Sequence, residues 1–272
     1  TSIGDEAFCD CSNLESVTIP DGVTSIGTRA FSGCWRLRNL TIGSGVTNIG
    51  ERAFSSCGNL ENITITHGAI GANQLVYETL IEQGDEVISI LPTYQQHYSV
   101  PKALGANVKC VFLKEENRWQ FHIKDVEKNI TRKTKLITLN NPNNPTGAVV
   151  SDEDLKKLAE LAATRNIWIL CDEAYRGLNL RRNPYSASIA DIYSKGISTG
   201  SMSKTYSLAG LRLGWICAKE GLINEINKHR EYNTISVSII DDYFAALALE
   251  NKDKIAQRNF EIIKQGYKTL EN

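Results

Sequence analysis

Apolar and polar positions along the first 65 residues recur at a fixed interval of 23. Ile3, Ile26 and Ile49 keep that spacing, as do Ala7-Phe8, Ala30-Phe31 and Ala53-Phe54, then Cys11, Cys34 and Cys57, Leu14, Leu37 and Leu60, and Ile19, Ile42 and Ile65. Within a unit, alternation such as Leu14-x-x-Val17-x-Ile19 predicts one short strand followed by a turn. That period and content describe a solenoid coil. Each coil leaves an apolar face for its neighbour, so about three coils are the minimum for stability. Thr1 falls at the tail of a preceding unit, and the chain is expected to begin inside the array.

After Ile65 the interval vanishes, and helical and strand patterns alternate. Residues 72–82 read as a helix. Residues 86–91 (EVISIL), 107–112 (NVKCVF), 135–139 (KLITL) and 167–171 (IWILC) read as buried strands, with 196–199 a further strand and 152–164 a helix between them. Such alternation predicts a mostly parallel sheet covered on both faces. Ligands of such sheets sit at the carboxyl ends of the strands. Asn144, Asp172 and residues 201–204 fall there. Residues 241–272 read as helices.

Composition narrows the partners. The 272 residues are 42% hydrophobic and 22% charged, with 30 basic against 31 acidic groups and a net charge of −1, ordinary values for a globular chain. No run of Lys and Arg suggests the phosphate-neutralising surface that nucleic acid demands. No apolar stretch approaches the roughly 20 residues that span a bilayer, and no basic start followed by an apolar core marks a leader. Neither a nucleic-acid nor a membrane partner is expected.

Seven cysteines is an odd number, and Cys110, Cys171 and Cys217 fall in apolar strand-like runs, which disfavours a disulfide framework. Cys9-x-Cys11 has no second pair at metal-ligand spacing, and no metal site is expected. The repeat cysteines read as a ladder of small buried side chains, because free Cys packs as a small hydrophobe.

Four segments carry candidate chemistry: HGAIGANQ (67–74), NNPNNPTG (140–147), CDEAYRG (171–177) and GSMSKTYSLAGLRLGW (200–215). Singly each has a structural explanation. Asp172 suits a helix N-cap, Asn-Pro-Thr-Gly suits a turn, and Lys204 alone is a surface lysine. In this order, on this strand pattern, coincidence is a poor account of them.

The units IGDEAFCDCSNLESVTIPDGVTS and IGTRAFSGCWRLRNLTIGSGVTN resemble the leucine-rich repeats found in bacterial and protist surface proteins, over residues 1–65. From about residue 66 to the C-terminus, the four segments resemble the pyridoxal-phosphate-dependent aminotransferases of class I and II, of fold type I. The implied architecture is α/β: the three-layer, mostly parallel sheet of a PLP-dependent transferase large domain, preceded by a short leucine-rich repeat solenoid. The implied division is 1–65 for the repeats and 66–272 for the large domain, without the family's N-terminal segment and C-terminal small domain. The arginine that holds the substrate α-carboxylate in the family belongs to that small domain. An apolar surface normally covered by those parts is expected to be exposed.

The resemblance implies a cofactor, pyridoxal 5′-phosphate, and a role for each matching residue. Lys204 would bond to the cofactor as a neutral amine, which a buried site with a nearby cation promotes, and would then shuttle the substrate α-proton. Asp172 would pair with the pyridine nitrogen. Tyr175 and Asn144 would donate to the ring's phenolate oxygen. Arg212 would grip the phosphate, helped by Ser201, Ser203 and the backbone amides of Ala69 and Ile70 at a helix N-terminus. Tyr94, in LPTYQQHY, would stack on the ring, its alternative being a core tyrosine. His67 and His97 lie near these segments without an assigned role.

The implied reaction moves an amino group between an amino acid and a 2-oxo acid, and the family is usually dimeric. Two alternatives stand beside it. One is another fold-type-I reaction, elimination or cyclisation of an amino acid, since residues 230–244 (REYNTISVSIIDDYF) resemble the corresponding segment of capreomycidine-synthase-like members. The other is a repeat-based binding protein, with a protein ligand for the repeats and an inactive or artefactually fused remnant. The enzyme part implies a cytoplasmic location, the repeats a cell surface.

Overall fold

A computed structural model of the chain describes residues 1–37, 39–43, 45–54, 57, 63–179, 185–234 and 236–271. They form two compact units, Thr1–Ile63 and Thr64–Asn272. Leu60 of the repeat pattern and Ile235 of segment 230–244 lie outside the described residues.

In the first unit, β1 (Ser2–Ile3), β3 (Ser25–Ile26) and β5 (Asn48–Ile49) form one parallel ladder, and β2 (Ser16–Ile19) and β4 (Asn39–Ile42) a second. Ile3 lies opposite Ile26, Ile26 opposite Ile49 and Ile19 opposite Ile42, so the sequence interval is the strand register. The repeat reaches the backbone: Glu6, Arg29 and Arg52 have φ of 53°, 54° and 55°. That left-handed geometry costs a non-glycine residue roughly 1–2 kcal/mol, a cost that stacking of the coils offsets.

Inside the coils the Phe8, Phe31 and Phe54 rings stack at centroid spacings of 5.0 and 5.2 Å. Cys34 and Cys57 are buried beside them, with Cys11 half-buried at the end of the ladder. Their thiols do more than fill space. Cys34 Sγ donates to the Phe8 carbonyl and Cys57 Sγ to the Phe31 carbonyl, each at 3.1 Å, linking one coil to the preceding one. All seven cysteines are free thiols.

The second unit opens with β6 (Ile63–His67) and α1 (Gly68–Leu80), followed by β7 (Glu86–Leu91), α2 (Gln96–Ala103), β8 (Asn107–Phe112), α3 (Ile123–Glu127), β9 (Thr134–Asn140) and α4 (Asp152–Thr164). Then come β10 (Trp168–Asp172), α5 (Ile189–Ile192), β11 (Gly196–Ser201), β12 (Leu213–Cys217), α6 (Glu220–Glu231), α7 (Ile239–Glu250) and α8 (Lys252–Glu271). The sheet order is β6-β12-β11-β10-β9-β7-β8, with β8, β7, β9, β10 and β11 parallel and β12 antiparallel to β11.

Consecutive strand residues serve opposite faces, which is why these strands read as unbroken apolar runs. Ile88, Ile137 and Ile169 pack with Leu155, Leu158 and Ala162 of α4 and Ile189 of α5. Their neighbours Val87, Leu136 and Leu170 pack on the other face with Leu75 and Val76 of α1 and Ile223 and Ile226 of α6. The three layers follow from that alternation.

One strand departs from expectation. Residues 107–112 read as buried, but β8 is an edge strand with Cys110 exposed and Phe112 67% exposed. Lys109 in mid-run is the physical reason: a charged side chain suits a strand with one open side, and its Nζ pairs with Glu86 Oε2 at 3.0 Å and donates to the Asn129 carbonyl at 3.1 Å. The final helices expose apolar side chains. Ile239, Ile240 and Tyr243 of α7 and Tyr267 and Leu270 of α8 are exposed. Among the described residues no helix is long and apolar enough to cross a membrane, and no group of three or more His, Cys, Asp or Glu could hold a metal ion.

Candidate active site

The parallel strands deliver the candidate residues to one edge of the sheet. Asp172 is the last residue of β10 and Ser201 the last of β11. Asn144 follows β9, and Tyr94 follows β7. The 140–147 loop is tied to both neighbours. Asn140 Nδ2 and the Asn141 N–H donate to the Asp172 carbonyl, Asn140 Oδ1 accepts the Asn144 N–H at 2.7 Å, and Asn143 Nδ2 donates to the Pro92 carbonyl beside Tyr94.

Asp172 is 5% exposed and well supplied with partners. Its Oδ1 accepts the Ala174 N–H at 3.0 Å, in a turn rather than a helix N-cap, and its Oδ2 accepts from Asn73 Nδ2 at 2.8 Å. His97 Nε2 stands 3.3 Å from Oδ2. Burial pushes the Asp172 carboxyl up, but His97, Asn73 and the Ala174 N–H outweigh it and hold it below the usual carboxylate range. The far side of His97 is equally fixed, since its Nδ1 meets Tyr77 Oη at 2.9 Å and Thr138 Oγ1 at 3.1 Å. Burial raises the Tyr77 hydroxyl, keeping it a neutral partner.

Lys204 departs from expectation in one respect. The amine reads as buried, yet the side chain is exposed, with Nζ 5.5 Å from the centre of the Tyr175 ring. The turn after β11 buries Met202 and Thr205 instead, leaving residue 204 to project over Tyr175. Tyr175 and Asn144 line one cavity of about 770 Å³, with Arg118, Gln120, Leu178 and Ile263. Tyr94 is 43% exposed, which removes its reading as a core tyrosine.

The start of α1 carries further candidate residues. His67 precedes the helix without a side-chain cap, and the first turn holds no acidic residue. By contrast α4 is capped by Ser151 and carries Asp152, Glu153 and Asp154 in its first turn. The amides of Ala69 and Ile70 thus belong to an N-terminus left open to an anion. Arg212 adds a cation, because a Cβ on Gly68, where φ is +69°, would meet its Nη2 at 2.9 Å. On β12, a Cβ on Gly214 would meet the Gly68 carbonyl carbon at 2.3 Å, so only glycine lets that strand approach. Ser201 is buried, its hydroxyl accepting the Ser203 N–H at 3.3 Å.

Sequence reading missed three buried polar residues around Asp172: Asn73, Gln96 and His97. The signal for Asn73 was a polar residue on the apolar face of a helix, beside Ala72, Leu75 and Val76. His97 has no such local mark, since its partners lie 75, 41 and 20 positions away.

A family model for aminotransferase class I and II matches residues 56–271. The chain belongs to that family. A model for BspA type leucine-rich repeat regions matches residues 1–82 in six copies, overlapping the aminotransferase match. Among solved structures, a PLP-dependent aminotransferase from Streptococcus suis 89-1591 superposes with a TM-score of 0.74 at 42% identity, covering 78% of this chain and 56% of that one. Among curated proteins, a probable aspartate/prephenate aminotransferase of Aquifex aeolicus is 32% identical over 180 residues, 65% of this chain and 46% of the relative. Capreomycidine synthase of Streptomyces vinaceus is 31% identical over 171 residues, 63% of this chain and 44% of the relative. This aminotransferase-family chain spans about half the length of the curated relatives it matches.

Proposed function

We propose that the second unit holds pyridoxal 5′-phosphate and transfers an amino group between an amino acid and a 2-oxo acid. The observation that carries this reading is Asp172: a buried carboxylate at the carboxyl edge of the sheet, held ionised by His97, Asn73 and the Ala174 N–H, is an acceptor suited to a protonated pyridine nitrogen. The rest of the donor set fits the same group. The bare start of α1, with the Ala69 and Ile70 amides, Arg212, Ser201 and Ser203, suits a phosphate. Tyr175 and Asn144 offer hydrogen bonds to a phenolic oxygen, Tyr94 a stacking face, and Lys204 an amine beside the Tyr175 ring.

When bound, pyridoxal phosphate supplies an electron sink for the substrate α-carbon. The chain's own part would be to bind the phosphate at the start of α1 and Arg212, keep Asp172 ionised as an acceptor for the ring nitrogen, and offer Lys204 to take and return the α-proton. The test is an absorbance spectrum with pyridoxal phosphate for wild type and Lys204→Ala, before and after borohydride. A visible band fixed by reduction only when Lys204 is present supports the reading. Folded protein without a band ends it.

The capreomycidine synthase match favours a second reading, elimination or cyclisation of an amino acid on the same residues. Product analysis separates the two, a 2-oxo acid alone against released ammonia or a cyclised amino acid. The exposed apolar residues of α7 and α8 support self-association. Sedimentation of wild type against Ile240→Glu checks that, with a lower mass expected for the variant.

A further inference from the structure

Asn73 stands in the second turn of α1, 1% exposed, among residues that face the sheet with apolar side chains. A buried amide there carries a desolvation cost unless it is hydrogen-bonded, and Asn is a poorer helix former than the alternatives. Its partners explain its presence. Nδ2 donates to Asp172 Oδ2 at 2.8 Å and to Gln96 Oε1 at 3.2 Å, while Oδ1 accepts from Thr199 Oγ1 at 2.7 Å. The orientation has one solution, because an ionised carboxylate can only accept, which turns the NH2 toward Asp172 and leaves the oxygen for the Thr199 hydroxyl.

Gln96 is fixed in turn. Its Nε2 donates to the Ile70 carbonyl at 2.7 Å, so its oxygen faces Asn73. Hydrogen bonds therefore run from the first turn of α1, through Gln96 and Asn73, to the carboxylate at the end of β10. The remaining groups facing Asp172 are His97 from α2 and the Ala174 N–H of its own turn, with Tyr77 of α1 behind His97.

We propose that Asn73 is the positioning residue for Asp172: its amide, oriented by Thr199 and Gln96, fixes the carboxylate in one rotamer as an ionised acceptor for the pyridine nitrogen, and locks the distance between that acceptor and the phosphate end of the site. The inference rests on the pyridoxal phosphate reading. It separates Asn73 from residues that merely fill the helix face, since Leu would serve packing equally well.

The test uses the full chain with Asn73→Leu, Thr199→Val and the double variant, thermal unfolding serving as the folding check. In the protein without cofactor, the Asp172 side-chain carboxyl resonance, identified by its loss in Asp172→Asn, titrates at higher pH in Asn73→Leu than in wild type. With pyridoxal phosphate added, Asn73→Leu binds about 10–100-fold more weakly, the loss expected for one hydrogen bond to a charged group, and the pH midpoint of the visible band moves. Thr199→Val, which removes the hydroxyl bonded to Asn73 and keeps the side-chain shape beside Asp172, its register partner across β10 and β11, gives a smaller change in the same direction, and the double variant is no worse than Asn73→Leu alone. Equal carboxyl titration in wild type and Asn73→Leu overturns the proposal, as does additivity of the two substitutions. Wild type that binds no pyridoxal phosphate while the carboxyl shift persists overturns the cofactor reading and leaves the Asn73–Asp172 coupling established. Should Asn73→Leu fail to fold, Thr199→Val decides: an unmoved carboxyl titration there overturns the proposal.

Discussion

Lys204 Nζ lies 5.5 Å from the centre of the Tyr175 ring, so two candidate site residues meet where the turn after β11 is tied to the turn after β10 by Thr205 Oγ1 donating to the Arg176 carbonyl at 2.6 Å. Tyr175 has two parts that substitution can separate. Its ring neighbours the amine, and the residue also lines the cavity shared with Asn144. Tyr175→Phe is expected to keep borohydride-fixable attachment to Lys204 while slowing the reaction with an amino acid by about 10–100-fold, the loss of one hydrogen bond to a charged oxygen. Tyr175→Ala is expected to slow the attachment as well. Stopped-flow absorbance measures both steps, and an unaltered rate in Tyr175→Phe would remove the hydroxyl from the chemistry.

Glu173 and Asp172 are adjacent and both buried, and their carboxyls are moved in opposite directions from the usual carboxylate range. Burial raises the Glu173 carboxyl above the usual range, with the Ile189 N–H, Arg176 and Ser188 pulling the other way without prevailing. An acid whose folded pKa is raised favours folding when protonated, and that contribution is complete below its unfolded pKa and lost as pH rises through the folded value. Glu173→Gln keeps an oxygen to accept from Ser188 Oγ and the Ile189 N–H, both at 3.0 Å. Urea unfolding from pH 4 to pH 8 is expected to show the variant gaining on wild type as pH rises above the ordinary glutamate range, near 4.3. A constant difference across that span would mean Glu173 is not raised.

Phe31 is fully buried between Phe8 and Phe54, whereas Phe8 at the end of the stack is 42% exposed. Removing the middle ring leaves a cavity lined by both neighbours. Phe31→Ala is expected to cost the repeat unit about 3–5 kcal/mol, and Phe8→Ala clearly less. Denaturant titration followed in the first unit's signals compares them, and equal losses would show that the stack is not a cooperative column.

Much of this architecture was legible in the residues. The 23-residue interval became the strand register itself, because a solenoid coil must align with the next. The strands Glu86–Leu91 and Asn107–Phe112 and the helix Asp152–Thr164 begin and end where their patterns do. What escaped the sequence depends on contacts across long separations. The edge position of β8 was hidden because an apolar run does not say how many neighbours a strand has. The exposure of Lys204 and the burial of His97 follow from which turn covers which, and α1 starts before residue 72 because its first turn faces Arg212 rather than the core.

The two glycines of HGAIGANQ make opposite predictions from the same motif. Gly68 has φ of +69°, and a Cβ there would meet Arg212 Nη2 at 2.9 Å, whereas Gly71 lies inside α1 with ordinary backbone, its nearest Cβ neighbour being His67 Cβ at 3.6 Å. Gly71→Ala therefore replaces a flexible residue in a helix by a good helix former and is expected to stabilise by about 0.5–1 kcal/mol with unaltered cofactor affinity. Gly68→Ala forces a left-handed alanine at a cost of roughly 1–2 kcal/mol and must displace the guanidinium from the helix start. Its affinity for pyridoxal phosphate is expected to fall, with inorganic phosphate competing less well against the cofactor than in wild type. Calorimetric binding of both anions to the two variants reads this directly. A Gly68→Ala protein that loses stability yet binds both as wild type would detach Arg212 and the start of α1 from the phosphate end of the site.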